Sequence, residues 1–125
     1  MDWRKGIDVL VKAIPGVMRS IPTLSVYIAG TGPEENNLRS LIKELNLEKV
    51  VRFLGFVSDD DKYAYCKACK IMVIPARWEN SPITLHEAMA CGKPVIASRV
   101  GGIPGMLEDG RTGLLFESGD VNGLA

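Results

Sequence analysis

Five short apolar segments alternate with amphipathic stretches along this chain, and this alternation limits its possible folds more than any other feature. The segments are residues 24–29, 50–54, 71–75, 94–98 and 113–116. The first segment is nearly continuous in apolar residues, which is typical of a parallel strand that is covered on both faces. Strands that alternate with helices predict an α/β fold, with a Rossmann-like parallel sheet and helices on both of its faces.

The stretches between these strands predict the helices. In the first stretch, Ile7, Leu10, Val11 and Ile14 form one apolar stripe at helical spacing. The predicted helices cover residues 5 to about 19, 33–45, 58 or 59 to about 69, 82–90 and 103–107, and Asp120 caps a last one. Ligands of such sheets bind at the carboxyl ends of the strands. The loops after the strands are therefore expected to share one rim.

The composition indicates one domain and gives no evidence of nucleic-acid binding or of a membrane-spanning helix. The chain has 125 residues, of which 46% are hydrophobic, and this is enough for one buried core. Fifteen basic and fifteen acidic residues balance to zero net charge, so no nucleic-acid partner is expected. No apolar run approaches the ~20 residues of a membrane-spanning helix. The odd number of cysteines fits a reducing compartment, and we expect a cytoplasmic location.

Two of the cysteines form a C-x-x-C motif, Cys66-Lys-Ala-Cys69, which has two interpretations. It is a candidate redox pair or half of a zinc site, for which only Cys91 and His86 remain as further ligands. Alternatively, both sulfurs are small buried groups on a short amphipathic helix. We favour the second interpretation and expect no metal site.

The segment RWENSPITLHEAMACGKPVIAS, residues 77–98, places two carboxylates around the start of a helix. Because proline is tolerated in a first helical turn, Pro82 can begin this helix, with Glu79 before it and Glu87 about one turn inside. Unpaired N–H groups at the positive end of a helix dipole suit a phosphate, and carboxylates accept hydrogen bonds from ribose or sugar hydroxyls. The N–H groups expected to be unpaired are those of Ile83, Thr84 and Leu85. The segment thus predicts a pocket for a nucleotide sugar.

The same segment resembles the signature of the retaining glycosyltransferases of family 4, the "group 1" glycosyltransferases. Glu79 and Glu87 correspond to the E-x7-E pair of that family, and EAMACGKPVIAS and GGIPGMLEDGRTGLLF follow in the family's order. The resemblance extends over nearly the whole chain, from Lys5-Gly6 to Leu124-Ala125. Two glutamates at this spacing recur by chance, but the full string with its downstream glycines is specific.

The resemblance implies a GT-B enzyme of which this chain is the C-terminal half. Residues 1–125 then form a partial domain that binds the nucleotide sugar, and the N-terminal acceptor domain, the first strand and the C-terminal helices lie outside the chain. Such enzymes, here of hexosyltransferase type, move a sugar from a nucleotide diphosphate sugar to an acceptor hydroxyl with retention of configuration. They use no cofactor or metal. We expect the chain alone to be inactive, while the acceptor and peripheral membrane association of the whole enzyme stay open.

The resemblance also assigns roles to individual residues. Glu79 contacts the hydroxyls of the transferred sugar and Lys5 the donor diphosphate, and these two are the predicted catalytic residues. Glu87 holds the ribose hydroxyls, and the backbone at Val57 meets the base. Lys62 lies where the family often contacts the base or a phosphate, although a helix-surface lysine explains it equally well. The family's second phosphate-binding residue, an arginine, lies upstream of this chain.

Two glycine-rich turns belong to the predicted rim. Gly30-Thr-Gly32-Pro follows a strand, so its backbone can approach a donor closely, although a purely structural turn is an alternative. In the sequence Gly101-Gly102-Ile-Pro-Gly105 the family usually has a glutamate at the last position. Because Gly105 has no side chain, one contact of the family is lost or replaced in this chain.

Two functions other than an enzyme's donor domain remain open at this point. The first is a non-catalytic nucleotide-binding module, which the absence of the first strand and of the upstream arginine favours. The second is a self-associating domain fragment, because an unpaired strand edge invites pairing with another chain. Nucleotide titration tests the first alternative, and the mass in solution tests the second.

Overall fold

The computed structural model describes residues 1–125 and contains five β-strands that alternate with α-helices. The strands are β1 (Val26–Ala29), β2 (Val51–Gly55), β3 (Met72–Ile74), β4 (Val95–Ser98) and β5 (Leu114–Phe116). The helices are α1 (Ile7–Met18), α2 (Glu35–Glu44), α3 (Asp59–Ala68), α4 (Ile83–Ala90), α5 (Ile103–Met106) and α6 (Val121–Leu124), and a 3-10 helix (Trp3–Lys5) precedes α1. The predicted order of elements is confirmed, and their ends differ from the prediction by at most about two residues, as is usual for such boundaries.

All strand pairs are parallel, as predicted, but the hydrogen bonds divide the strands into two sheets rather than one. β1 pairs with β2 in the first sheet, and β3, β4 and β5 pair in that order in the second. The difference arises because β3 pairs with β4 alone and with neither strand of the first sheet. The prediction of a Rossmann-like α/β fold with parallel strands is otherwise confirmed.

The core consists of three clusters of buried side chains, and α1 contributes to two of them. Val11 and Ile14 pack with Ile28 of β1, whereas Val9 packs with Phe116 of β5. Because α1 buries side chains against both sheets, apolar contacts through this helix hold the two sheets together. The third cluster, around β3, β4 and α4, includes Ile74, Leu85, Ala88, Val95 and Ile103.

The start of the first helix differs from the prediction in a way that affects Lys5. The prediction began this helix at Lys5, but α1 begins at Ile7, and Lys5 is the last residue of the 3-10 helix. Gly6 separates the two helices with a left-handed backbone (φ 62°), which glycine adopts at little cost. Gly6 is also packed so closely on Pro75 that an added Cβ would overlap the Pro75 carbonyl. The turn at Gly6 thus brings Lys5 to the carboxyl end of β3.

Side-chain caps begin two of the other helices. The Ser58 hydroxyl accepts the N–H of Asp61 at 3.2 Å and so caps α3. Asp120 accepts the N–H groups of Asn122 and Gly123 at 3.1 and 2.9 Å and caps α6. The predicted Asp120 cap is confirmed, and each of the two caps supplies an acceptor that a helix start otherwise lacks. No helix of the structure has both the length and the apolar character needed to cross a membrane.

Candidate functional site

The predicted rim is built around the loop that joins β3 to α4. Glu79 lies in this loop, and the glycine turn after β4 packs directly on it. A Cβ on Gly101 would overlap the carbonyl of Glu79, and a Cβ on Gly102 would overlap the carbonyl of Asn80. Gly101 also has a left-handed backbone (φ 51°). These two glycines therefore allow the loops after β3 and β4 to approach each other closely.

Glu79 and Lys5, the two predicted catalytic residues, are in contact. The Lys5 Nζ lies 2.8 Å from Glu79 Oε2, and the other carboxylate oxygen accepts the N–H of Asn80 at 3.1 Å. The Glu79 side chain is only 16% exposed, whereas that of Lys5 is 53% exposed. The carboxylate is thus held in place, while the ammonium group keeps much of its contact with solvent.

Glu87 forms a second carboxylate–lysine pair. The Lys62 Nζ lies 2.7 Å from Glu87 Oε1 and 2.9 Å from Asp59 Oδ1. The hydrogen bonds from Lys62, first to Glu87 and then to Asp59, raise the lysine pKa above its ordinary value. The Glu87 side chain is only 15% exposed, whereas the Lys62 side chain is 35% exposed. Each predicted ligand carboxylate therefore has its own lysine partner.

The N-terminus of α4 has two unpaired amides, one fewer than predicted. Pro82 occupies the N-cap and provides no capping side chain. The N–H groups of Ile83 and Thr84 have no acceptor in the structure. The expectation for Leu85 is wrong, because its N–H donates to the carbonyl of Pro82 at 3.0 Å and its side chain is fully buried in the core. The available donors of this helix are therefore those of its first two residues.

The other predicted contact residues differ in how open they are. The N–H and C=O of Val57 form no hydrogen bond, and the neighbouring Phe56 side chain is 87% exposed. Gly30 has φ 104° and no atom within 4 Å of the place where a Cβ would lie. Gly32, in contrast, packs on the backbone of Met1, where a Cβ would overlap. The close approach at Gly32 is therefore made to the chain itself. Gly105, like Gly30, faces open space.

Asp8 and Arg77 also lie beside the site, although no role was predicted for either of them from the sequence. Arg77 Nη1 and Nη2 donate to the two oxygens of Asp8 at 2.6 and 2.7 Å, and Nη1 also donates to the carbonyl of Trp3 at 3.1 Å. These hydrogen bonds from Arg77 lower the pKa of Asp8 to about 2. The only sequence signal is their position, since Asp8 follows Lys5 and Arg77 precedes Glu79 by a few residues.

The cysteines of the C-x-x-C motif lie between α3 and α4. Cys66 is buried, with its Sγ 3.9 Å from the carbonyl of Glu87, and the half-buried Cys69 directs its Sγ to the carbonyl of Cys66 at 3.1 Å. Burial, followed by the nearby Cys91 thiol, raises the pKa of Cys66 to about 11. No group of three or more histidine, cysteine or acidic side chains is arranged to hold a metal ion. The interpretation as a small buried group is confirmed for Cys66, whereas Cys69 is half-buried and follows the last residue of α3.

The chain matches known proteins over nearly its whole length. A family model described as "Glycosyl transferases group 1" matches residues 1–125. The chain is 40% identical over 123 residues to the phosphatidyl-myo-inositol mannosyltransferase of Mycobacterium leprae, and the aligned region covers 98% of this chain and 32% of the relative. It is 30% identical over 128 residues to the GDP-mannose-dependent alpha-(1-6)-phosphatidylinositol monomannoside mannosyltransferase of Mycolicibacterium smegmatis. This alignment covers 97% of this chain and 34% of the relative.

A solved structure shares the fold. The Anabaena protein HepE, in complex with UDP-glucose, superposes with a TM-score of 0.90 and 30% identity, over 100% of this chain and 35% of HepE. The chain thus spans about a third of the length of the proteins that it matches. With the family model matched from the first residue to the last, the chain belongs to the group 1 glycosyltransferases.

Proposed function

We propose that this chain is the donor-binding domain of a retaining GT-B glycosyltransferase, which moves a hexose from a nucleotide diphosphate sugar to an acceptor hydroxyl. The observation that carries the proposal is the pair of carboxylate–lysine contacts, Lys5–Glu79 at 2.8 Å and Lys62–Glu87 at 2.7 Å. Each contact combines a cation for a phosphate with an acceptor for a hydroxyl group. A nucleotide sugar carries both kinds of group next to each other.

The diphosphate binds between Lys5 and the start of α4. The unpaired N–H groups of Ile83 and Thr84 donate to its oxygens, and the Lys5 ammonium group supplies a full positive charge. As the glycosidic bond breaks, negative charge grows on the departing diphosphate. Donors and cations that are already in place stabilise this charge without further reorganisation. The protein's own groups therefore supply the positive charge, and we expect no metal ion.

The two carboxylates bind the hydroxyl groups of the donor. Glu79 accepts hydrogen bonds from the transferred sugar, and Glu87 accepts them from the ribose. A bound phosphate offers Lys5 and Lys62 a second anionic partner, so the carboxylate oxygens can turn to the hydroxyls. The free N–H and C=O of Val57 bind the base by backbone hydrogen bonds.

The relatives suggest which donors to test first. HepE is solved with UDP-glucose, and the Mycolicibacterium smegmatis relative is named as GDP-mannose-dependent. A backbone contact at Val57 does not by itself distinguish uracil from guanine, because both bases present donors and acceptors. UDP-glucose and GDP-mannose are therefore the two donors of first choice.

The proposal is tested by calorimetric titration of the chain with UDP, GDP and ADP. We expect saturable binding of one of them, and we expect Lys5→Ala to weaken it by about 1–3 kcal/mol, because a charge-assisted hydrogen bond to phosphate is lost. The matched control is Lys43→Ala, which removes an exposed lysine without an ion pair, on α2. Equal affinities of the two variants, or a folded wild-type chain that binds no nucleotide, would contradict the proposal.

A second candidate function is a domain that binds a nucleotide but takes no part in transfer. Gly105 favours it, because this position faces open space where the family usually has a glutamate side chain. Nucleotide binding by the chain, together with no sugar transfer by the whole protein, would favour this candidate. Transfer by the whole protein would exclude it.

A further inference from the structure

The Lys5–Glu79 contact joins two segments that are far apart in the sequence and needs support from elsewhere. The two residues are 74 positions apart. Lys5 is 53% exposed, and an ion pair with this exposure contributes little to stability. Such a pair cannot by itself hold the 3-10 helix against the loop after β3. The geometry of the site must therefore depend on neighbouring contacts.

Arg77 makes those contacts on both sides of Lys5. Its guanidinium binds the Asp8 carboxylate through two hydrogen bonds of 2.6 and 2.7 Å, and Nη1 also donates to the carbonyl of Trp3 at 3.1 Å. The backbone N–H of Arg77 donates to the carbonyl of Arg4 at 2.7 Å. Residues before and after Lys5 are thus fixed to a residue that lies two positions before Glu79.

The chemistry of this contact favours a fixed orientation. A guanidinium that meets a carboxylate through two parallel hydrogen bonds defines both distance and angle, which a lysine ammonium cannot do. The Arg77 and Asp8 side chains are 30% and 28% exposed, so water competes less with this pair than with Lys5. Both terminal nitrogens of Arg77 are occupied by protein acceptors, and Arg77 is therefore not itself the phosphate ligand.

We propose that Arg77 is a positioning residue of the donor site: through Asp8 and the Trp3 carbonyl it holds Lys5 at the distance from Glu79 that a sugar diphosphate requires. The inference rests on the proposed function, because it assigns Arg77 to the diphosphate and sugar part of that site. Glu87 lies on α4, Lys62 on α3 and Val57 in the loop after β2, and the Arg77 side chain forms no hydrogen bond with any of them.

The test measures the affinity of the Arg77→Lys variant for two kinds of ligand. A general loss of stability would lower both affinities alike, whereas a loss of positioning would lower only one. The probes are UDP-glucose and GDP-mannose for the whole site, and UMP and GMP for the base and ribose part. We expect Arg77→Lys to lower the affinity for the nucleotide sugar about tenfold, and that for the matching monophosphate less than twofold. The matched control is Arg39→Lys, which changes an arginine paired with Glu35 on α2 at 2.7 Å and leaves both affinities unchanged.

Other outcomes overturn the inference and can be separated from failure of the proposed function. If the wild-type chain binds neither nucleotide sugar, the proposed function fails first. If the wild-type chain binds but Arg77→Lys binds equally well, or loses both affinities alike, only the positioning role is rejected. If Arg77→Lys does not fold, Asp8→Asn provides the same comparison, since it keeps the Arg77 contact with Trp3. If neither variant folds, the ion pair serves folding and the positioning role is rejected.

Discussion

At the scale of single residues, the candidate site contains two carboxylates that are each already paired with a lysine. Glu79 and Glu87 are each mostly buried and each lie within 2.8 Å of a lysine nitrogen. Both lysines are partly exposed, so separating either pair costs only about 0–1 kcal/mol. On the proposed function, the phosphate charges and hydroxyl groups of a donor replace these two contacts. The ion pairs therefore keep the carboxylates in place without preventing a donor from binding.

The Asp8–Arg77 pair predicts a specific dependence of stability on pH. The pKa of Asp8 is lowered from 3.8 to about 2 by Arg77 and, to a smaller extent, by Lys12 on its own helix. Two further carboxylates, those of Asp2 and Glu34, line the same cavity as Asp8 and Arg77. A lowered pKa means that the pair stabilises the fold fully above about pH 4, and that this stabilisation disappears as the pH falls toward 2. Solvent screening limits the effect to about 1 kcal/mol.

The measurement is urea unfolding of the wild type and of Asp8→Asn between pH 6 and pH 3. We expect the wild type to be more stable by about 1 kcal/mol at pH 6, and about half of this difference to be lost at pH 3. Asp60→Asn is a suitable control, since Asp60 is exposed and has no ion pair. A difference that stays constant over this range would show that the carboxylate of Asp8 is not stabilised by Arg77.

At the scale of elements, the site depends on turns that approach each other more closely than side chains allow. Gly6 lies against Pro75, and Gly101 and Gly102 lie against the loop that carries Glu79. The sequence shows these glycines, and the resemblance indicates that they belong to the site. The sequence does not show which backbone each glycine approaches, because that backbone lies in a distant part of the chain. The same limit applies to Gly32, for which a donor contact and a purely structural turn were both open, and which packs on Met1.

Gly101→Ala should disturb the site, whereas Gly105→Ala should not. An added Cβ at Gly101 would overlap the Glu79 carbonyl and would also strain a backbone with φ 51°. We expect a loss of about 1–3 kcal/mol of stability, together with weaker binding of a nucleotide sugar. Gly105 faces open space, so its alanine variant is a matched control with wild-type stability. Thermal unfolding of the two variants checks this, and equal midpoints would refute the close packing at Gly101.

At the scale of the whole molecule, local patterns predicted the elements but not their pairing. Each strand and helix follows from apolar spacing and from capping residues such as Ser58 and Asp120, which act within a few positions of the chain. The division into two sheets depends on which strand edges pair with each other, and apolar patterns in the sequence do not predict this pairing. The ion pair between Lys5 and Glu79 depends in the same way on segments 74 positions apart. The residue types of the site were thus predictable, whereas their partners and the role of Arg77 were not.

On the proposed function, Glu79 binds the sugar and Glu87 binds the ribose of one donor. The most direct measurement compares the affinities of UDP and UDP-glucose, or of GDP and GDP-mannose, for the wild type, Glu79→Gln and Glu87→Gln. Glu48→Gln serves as the control, because Glu48 is exposed and has no ion pair. We predict that Glu79→Gln weakens binding of the nucleotide sugar alone, and that Glu87→Gln weakens both ligands by about 1–3 kcal/mol. Unchanged affinities in folded variants, or equal effects of both substitutions on both ligands, would contradict the account.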